Sequence, residues 1–188
     1  MKLSSRNIDI IPLSLNDLRL FIKSRGKYEE KQNLKISGEG LADAYKEELN
    51  EVIEQTPDAW GNNCSDYLFY TLWVLVHKQQ KAIVGQFTFN GKPNENGEVE
   101  VFFSIEKPHR QKGYATEVMK TILDWASQNN TVKVVLVEAD LKNKAAMASL
   151  KKLGFRKLEQ NDERSNVEPT KYYKRIKCEP VIEELDFD

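Results

Sequence analysis

Apolar residues in the first third of the chain change from a strand pattern to a helical one. Residues 8–13 form a short β-branched run with a proline near its end, which predicts a strand that enters a loop. Ser14 then stands where a helix N-cap is expected, and apolar residues recur at helical spacing towards Gly26. A second, acid-rich helical pattern covers 41–56 and stops at Pro57. This part of the chain therefore predicts one strand followed by two helices.

The period of the pattern becomes two in the middle of the chain. Residues 67–78 and 81–90 are rich in aromatic and β-branched side chains and flank a short polar turn, which predicts a hairpin. A turn-rich loop leads to a third strand over 98–105. The later pattern predicts a helix over 115–128, a strand over 131–139, a helix over 144–152, and strands near 155–159 and 171–176. Together these elements predict an α+β domain, whose mostly antiparallel mixed sheet of about seven strands is flanked by four helices.

Composition adds the class of protein to this outline. The chain has 188 residues, of which 40% are hydrophobic and 30% charged, as is typical of one soluble globular domain. We expect this domain to cover residues 1–178 and an acidic tail to cover 179–188. No apolar run is long enough to cross a membrane, and the first residues lack the apolar core of a signal peptide. These observations predict a cytoplasmic protein without a membrane partner.

Cysteine and histidine are scarce. Cys64 and Cys178 lie far apart in the sequence, and the chain has two histidines. So few cysteines and histidines predict neither a disulfide framework nor a metal cofactor. His109 is expected to be a solvated loop residue, and His77, at the end of a strand, a structural one.

Charge is nearly balanced, with 28 lysines and arginines against 29 acids and a net charge of −1. A domain that coats nucleic acid usually carries a basic excess, so nucleic acid is not an expected partner. The local exception is EKPHRQKG, residues 106–113, where three cations crowd a short loop.

The same loop joins the third strand of the hairpin region to the long helix. RQKGYA, residues 110–115, opens this helix, and the free N–H groups of a helix N-terminus bind anions. Gly113 allows the backbone to approach a phosphate without a Cβ in the way. The segment matches neither G-x-x-x-x-G-K-[ST] nor G-x-G-x-x-G, which argues against a P-loop and a dinucleotide fold. A helix that merely starts at a glycine is the plain alternative.

The block from Glu98 to Phe155 resembles the GNAT acetyltransferase superfamily, most closely its branch of ribosomal-protein N-terminal acetyltransferases. RQKGYA matches the R/Q-x-x-G-x-G/A motif of the family at Arg110, Gly113 and Ala115. The strand VEVFFSI before it is similar to the A-E-I-G-Y-S-I of that branch, and DLKNKAAMASLKKLGF after it is similar to N-x-x-A/S followed by K-L-G-F. The resemblance implies a GNAT fold.

The resemblance also implies acetyl-CoA as co-substrate. Main-chain groups at the end of the third strand are expected to hold the pantetheine arm, where a bulge splays two parallel strands. N–H groups of the loop and helix start are expected to bind the pyrophosphate. Asn143 is expected to bond the cofactor arm, to serve as a plain N-cap, or both. The expected cofactor-binding residues are Phe103, Ser104, Ile105, Arg110, Gln111, Lys112, Gly113, Tyr114, Ala115 and Asn143.

The activity that the resemblance implies is transfer of an acetyl group to a primary amine, by direct attack in a ternary complex. The amine must be neutral, and a lysine side chain is neutral only about once in 2,500 at pH 7. Glu100 matches the acid of the related strand motif and is the candidate general base, with Glu98 as the alternative on the same face of an unbroken strand. A bulge would invert that parity, and a solvent-facing role is the plain alternative for either acid.

Two positions depart from the family pattern. Many relatives carry, as the acid that protonates the leaving thiolate, a tyrosine at the position of Leu150, and the serine of the branch is replaced by Ala146. Ser149 is a poor substitute, which leaves water or another residue such as Tyr172 or Tyr173. These departures favour the alternative function, a catalytically weak or inactive acyl-CoA-binding module.

The acceptor is less well defined by the sequence. In the family, two N-terminal helices and their loops wall the acceptor site, which implies that residues 25–66 set specificity. Trp60 and the carboxylates near it are candidates for the wall around a cationic amine, and Trp60 is equally a candidate packing anchor. The expected partners are acetyl-CoA and an amine acceptor, either a small molecule or a protein N-terminus, bound to a monomer or homodimer.

Overall fold

The computed structural model describes residues 1–38, 40–61, 65–140, 142–158 and 170–176. The predicted acidic tail 179–188, Cys64 and Cys178 lie outside this part of the chain. Within it, no helix is long and apolar enough to cross a membrane. The same residues contain no group of histidines, cysteines and acids that could hold a metal ion.

The described residues contain eight strands, which form one mixed sheet in the order β1-β2-β3-β4-β5-β6-β8-β7. Their bounds are β1 Leu3–Ser4, β2 Ile8–Pro12, β3 Leu72–His77, β4 Ala82–Phe89, β5 Glu98–Ile105, β6 Val134–Ala139, β7 Arg156–Lys157 and β8 Thr170–Arg175. Among these strands, β5 and β6 are parallel and the other neighbouring pairs are antiparallel. A parallel pair needs a long crossover connection, which here contains a helix.

In the described part of the chain five α-helices flank the sheet: α1 Leu15–Lys23, α2 Arg25–Lys31, α3 Asp43–Gln55, α4 Tyr114–Ser127 and α5 Lys144–Lys152. The α+β prediction is confirmed, with one strand and one helix more than expected. The added strand, β1, has two residues and is too short for a pattern to reveal. The predicted first helix is two helices, because Ser24 has an extended backbone (φ −161°) and its hydroxyl accepts a hydrogen bond from the N–H of Lys27.

Side chains from successive positions of β3 enter two separate cores. Leu72, Val74 and Val76 pack with α1, α2 and α3 on one face of the sheet. Trp73 and Leu75 pack on the other face with α4 and with Leu150 of α5. All six residues of β3 are buried, as expected for a strand covered on both faces. The sheet therefore separates a face covered by α1–α3 from a face covered by α4 and α5.

Candidate active site

β5 and β6 separate in the middle of the sheet. Their parallel pairing begins at Glu98 and Val134 and ends at Val101 and Val137. Beyond that point β5 remains paired with β4 as far as Ile105, whereas β6 remains paired with β8. The main-chain groups of residues 102–105 that face β6 are therefore outside the ladder of these two strands. This opening coincides with the three strand residues predicted to hold the pantetheine arm.

The bulge that the resemblance implied in this region does not lie between β4 and β5. Their pairing is continuous, and the burial of β5 alternates through the opening. The register shift lies instead between β3 and β4, where Leu75 pairs with Gly85 and Val76 pairs with Ile83. The expected bulge at 103–105 is thus wrong, because the strands part where their ladder ends, without an inserted residue. Glu98 and Glu100 consequently stay on one face.

Gly85 lets β4 approach the end of β5 closely. A Cβ at this position would lie 2.3 Å from the carbonyl oxygen of Ser104 and 3.1 Å from the Cα of Ile105. Both neighbours are backbone atoms, so a flexible side chain cannot relieve the contact. The absence of a side chain at residue 85 therefore sets the position of β5 at the opening.

The basic loop is a folded structure between β5 and α4. A 3₁₀ turn covers Lys107–His109, and the Nε of Arg110 donates a hydrogen bond of 2.8 Å to the carbonyl oxygen of Ile105. Gln111 and Gly113 both have left-handed backbones, with φ of 61° and 81°. Such alternation turns successive N–H groups to one side, which makes a concave anion-binding surface.

Gly113 is the N-cap of α4, and no atom lies within 4 Å of a Cβ built on it. The first N–H groups of a helix have no acceptor within the helix, so they and the helix dipole favour a negative group in this open space. Gln111 and Lys112 are exposed beside it, whereas the Tyr114 side chain is buried. Tyr114 can therefore offer a ligand its main-chain N–H rather than its phenol.

The two histidines lie near the buried side of this loop. His77 is buried, its Nδ1 accepts a hydrogen bond from the N–H of Gln80, and its ring meets the Tyr114 ring edge-on, which fits the structural role expected for it. His109 differs from the expected solvated residue, because it is half-buried and its Nδ1 has no hydrogen-bond partner among the described residues. Burial, together with the nearby charge of Lys112, lowers the pKa of His109 and favours the neutral ring.

Glu117 anchors the first turn of α4 to the loop between β1 and β2. Its carboxylate accepts hydrogen bonds from the Ser5 hydroxyl at 2.6 Å, the Asn7 main-chain N–H at 2.6 Å and the Asn7 side-chain amide at 2.9 Å. Burial by itself would raise the pKa of Glu117, but these hydrogen bonds outweigh it and lower the pKa below its ordinary value. The ionised carboxylate thus fixes the helix whose N-terminus faces the loop.

Replacement of Glu117 by glutamine should lower the free energy of unfolding by about 2 kcal/mol at neutral pH, because the charge-assisted hydrogen bonds to its carboxylate are lost. A lowered pKa in the folded state contributes stability above the pKa of the unfolded chain, and that stability is lost as pH falls through the folded pKa. Urea unfolding of both proteins across the acid range should therefore show the difference shrinking towards low pH. A difference that is constant with pH would contradict this account.

A cleft of about 510 Å³ opens beside the separated strands, on the face covered by α1–α3. It is lined by Tyr45, Glu48, Gln86, Phe87, Phe102, Phe103, Ser104 and Glu138. A smaller cavity of about 170 Å³ shares Tyr45, Glu48 and Phe102 with it and continues along α3 to Asn90 and Gly91. The opening in the sheet therefore borders a groove between the sheet and α3.

Burial raises the pKa of the Tyr45 phenol in this cleft. A hydrogen bond with Thr88 opposes the increase, and the neighbouring Glu48 adds to it. The phenol is therefore protonated at neutral pH. Tyr172 is buried in the core on the α4 side, and Tyr173 lines a different cavity together with Glu98. Neither of these two tyrosines lines the described part of the cleft.

The candidate base Glu100 lies on the sheet face that borders the cleft, two residues before Phe102 in β5. Its carboxylate accepts a hydrogen bond of 3.2 Å from the side-chain amide of Asn90. The alternative, Glu98, accepts one of 3.0 Å from Asn94. Glu100 is thus the nearer of the two to the point of strand separation, and neither is among the described residues that line the cleft.

Three side chains at α5 bear on the predicted cofactor contact and on the missing proton donor. The Oδ1 of Asn143 accepts a hydrogen bond of 3.1 Å from the N–H of Ala146, so this residue is a helix N-cap. Ser149 accepts a hydrogen bond from the Thr116 hydroxyl, which joins α5 to α4. Leu150 is 6% exposed and belongs to the core. The position of the family tyrosine therefore offers no proton donor.

A buried charge network joins α2 to the beginning of the basic loop. The Nε of Arg25 donates to Glu29 at 2.7 Å, and its Nη1 donates to Glu106 at 2.7 Å. The side chains of these residues are only 6%, 0% and 18% exposed, respectively. Ser37 donates two further hydrogen bonds to Glu29, from its N–H and its hydroxyl. The helix α2 is thereby fixed to the residue that follows β5.

The sequence reasoning named Phe103 and Ser104 but missed the other six cleft residues: Tyr45, Glu48, Gln86, Phe87, Phe102 and Glu138. Glu48 is one of several exposed acids on α3, and Glu138 occupies a polar position in a strand where buried and less buried residues alternate. Each is ordinary for a solvated face, so no local pattern distinguishes it. The expectation that residues 25–66 reach the acceptor side agrees with the positions of Tyr45 and Glu48, whereas Trp60 packs against the core on that face.

Comparisons with known proteins agree with this architecture. A family model described as an acetyltransferase (GNAT) domain matches residues 11–156. A segment of 83 residues, 44% of this chain, is 37% identical to an uncharacterized N-acetyltransferase, YjdG, of Bacillus subtilis and covers 49% of that protein. The chain thus matches about half the length of this curated relative.

Solved structures of low sequence identity share the fold. The ribosomal-protein-S5-alanine acetyltransferase of Vibrio fischeri superposes with a TM-score of 0.64, at 13% identity, over 96% of this chain and 100% of that one. RimL, a ribosomal L7/L12 alpha-N-protein acetyltransferase in complex with coenzyme A, gives a TM-score of 0.63 at 9% identity, over 95% and 100% of the two chains. Because the family model extends from β2 to β7 and so covers most of the sequence, this chain belongs to the GNAT acetyltransferase family.

Proposed function

We propose that the protein transfers the acetyl group of acetyl-CoA to a primary amine by direct attack in a ternary complex. The observation that carries this proposal is the coincidence of the strand opening with the cleft, since Phe103 and Ser104 belong to both. A pantetheine arm bound to the main chain of 103–105 would bring its thioester to the wall of a cavity large enough for an acceptor.

The anionic end of the co-substrate fits the loop that follows β5. In this proposal the N–H groups from Gln111 to Ala115 bind the pyrophosphate, and the cationic side chains of Arg110 and Lys112 add charge at the rim. The open space at Gly113 and the two left-handed residues support this fit. Asn143 would add a contact to the cofactor arm through its amide nitrogen while its oxygen caps α5.

The chemical step balances without a metal. The neutral amine nitrogen attacks the thioester carbonyl carbon, the C–N bond forms and the C–S bond breaks. Glu100 is proposed as the base that takes the amine proton, either directly or through water, and water is proposed to protonate the leaving thiolate. The position of Glu100 beside Phe102 supports this role, with Glu98 as the more distant alternative.

A second candidate function is favoured by Leu150. With no hydroxyl at this buried position, the fold is also compatible with a module that binds acyl-CoA and turns over slowly or not at all. The two functions share a cofactor site and differ in whether an amine reaches the thioester and reacts.

Release of free thiol from acetyl-CoA should distinguish these functions. We expect thiol release to depend on an added amine. When both substrates are varied, double-reciprocal plots of the initial rates should give intersecting lines, as direct attack in a ternary complex requires. Parallel lines would indicate a covalent acetyl-enzyme and contradict direct attack. Binding of acetyl-CoA without thiol release across peptides, polyamines and amino acids would favour the binding module.

The same assay provides the test of the base. Glu100→Gln should lower kcat by about a hundredfold and remove the acid limb of the pH–rate profile. If Glu100→Gln leaves both the rate and the limb unchanged, the base is another residue, and Glu98→Gln is the next variant to measure.

A further inference from the structure

We propose that the acceptor is a linear alkyl amine with at least two positively charged nitrogens, bound between Glu48 of α3 and Glu138 of β6. This inference rests on the proposed function and names the substrate class of the same cleft. One nitrogen would lose its proton and react, and the other would remain charged against a carboxylate.

The first support is the placement of the two carboxylates. Glu48 enters the cleft from the helix, and Glu138 enters it from the strand that has separated from β5. Glu138 lies one position beyond the last paired residue, Val137, and on the same sheet face as Leu136 and Glu100. The acids therefore flank the place where the opened β5 backbone would present the thioester.

The second support is the composition of the described lining of the groove. None of the described residues that line the cleft or the smaller cavity is a lysine, an arginine or a histidine. A free amino acid would place its own carboxylate near the carboxylates of Glu48 and Glu138, and like charges across an interface are costly. An acceptor with several positive charges and no negative one fits this lining.

The third support is the apolar and uncharged surface between and beyond the acids. Phe102 is 41% exposed, an unusual state for a large apolar side chain, and it borders both cavities. Its ring offers a surface for methylene groups. Gln55, Thr88 and Asn90 line the smaller cavity, where their side-chain oxygens can accept hydrogen bonds from N–H groups. This sequence of surfaces matches a flexible chain in which nitrogens alternate with methylenes.

The charge of α3 extends the same preference outside the cleft. Its acids are Asp43, Glu47, Glu48, Glu51 and Glu54, and its one cation, Lys46, is paired with Asp43 at 2.7 Å. The helix therefore presents a net negative field along the groove. Such a field raises the local concentration of small cations, and salt screens it.

The experiment compares diaminobutane with butylamine, two acceptors of one chain length that differ in the second amine, in the thiol-release assay with the intact protein and acetyl-CoA. We expect kcat/KM to be at least about tenfold higher for the diamine, a difference of about 1.4 kcal/mol. Added salt should reduce this preference. A peptide with a free N-terminus and an uncharged sequence, and glycine as an amino acid, complete the set.

Variants locate the preference. Glu48→Gln and Glu138→Gln should each raise KM for diaminobutane by about fivefold, as expected for an exposed ion pair. Each variant should therefore reduce the difference in kcat/KM between diaminobutane and butylamine. Glu54→Gln removes one charge from the same helix at a residue that does not line the described groove, so it weakens only the general field of the helix and should change the preference by less than about twofold. Equal binding of acetyl-CoA by all variants, measured by thermal shift, shows that the cofactor site is intact.

The outcomes separate this inference from the proposed function. If butylamine, glycine or the peptide is acetylated as efficiently as diaminobutane, and salt has no effect, the inference is overturned while the acetyltransferase function stands. If the two glutamine variants retain the full preference, the cleft acids do not recognise the second nitrogen and the inference is overturned. If no amine releases thiol although acetyl-CoA binds, both fail.

Discussion

Replacing Gly113 with glutamate is expected to abolish the rise in melting temperature that we expect acetyl-CoA to give the native protein. The new side chain would project from the start of α4 into the open space that the pyrophosphate is proposed to occupy, and its negative charge would oppose that of the ligand. At a hundredfold excess of ligand over its Kd, binding stabilises a protein by about 2.7 kcal/mol, and the variant should lose all of it.

The control for this variant is Gly113→Asn. The left-handed backbone at residue 113, with φ of 81°, strains most side chains, but asparagine adopts it with little strain. Asparagine adds bulk without charge, so it should retain part of the acetyl-CoA shift. The measurement is thermal unfolding of the three proteins with and without acetyl-CoA. A full shift in Gly113→Glu would place the pyrophosphate elsewhere.

Gly85→Ala is expected to destabilise the protein by about 3 kcal/mol, the largest stability change that we predict for a single methyl group. The added Cβ would lie 2.3 Å from the Ser104 carbonyl oxygen, a distance that requires β4 and β5 to move apart. Because that movement displaces the strand end proposed to bind pantetheine, acetyl-CoA affinity should fall as well. Urea unfolding and ligand titration measure the two effects.

The matched control is the same change at a different glycine. Gly26 lies in α2, and a Cβ there would meet Ile36 at 3.6 Å, an ordinary contact. Gly26→Ala should be neutral or stabilising by about 1 kcal/mol, because alanine favours a helix. If Gly85→Ala unfolded at the same urea concentration as the wild type, the close approach of β4 and β5 could not be essential.

The elements proposed to bind the cofactor were predictable because their signals are local. The end of β5, the basic loop and the start of α4 are consecutive in the sequence, and a glycine and a change of period mark their boundary. Even so, the side-chain contacts of that loop were not predictable. Arg110 folds back onto Ile105, and His109 turns inward, because both respond to neighbours that no local pattern reveals.

The cleft proposed to bind the acceptor was not predictable, because it is assembled across the fold. Tyr45 and Glu48 come from α3 and Glu138 from β6, and they meet only where β5 and β6 part. Within their own elements they look like other polar positions. The break between α1 and α2 was missed for a related reason, since the apolar spacing continues across Ser24 while the backbone does not. The domain boundary, the cytoplasmic location, the expected absence of a metal and the monomeric or dimeric state stay predictions of the sequence.

The buried arginine between α2 and the basic loop has a mechanical consequence. Arg25 bonds Glu29 in its own helix and Glu106 at the start of the loop, and burial makes it costly to separate these charges. The helix α2 and the first residue after β5 are therefore linked as parts of one rigid frame. Because Tyr28 of α2 and Leu49 of α3 belong to one core cluster, we expect α3 and the basic loop to keep a nearly fixed separation before any ligand arrives.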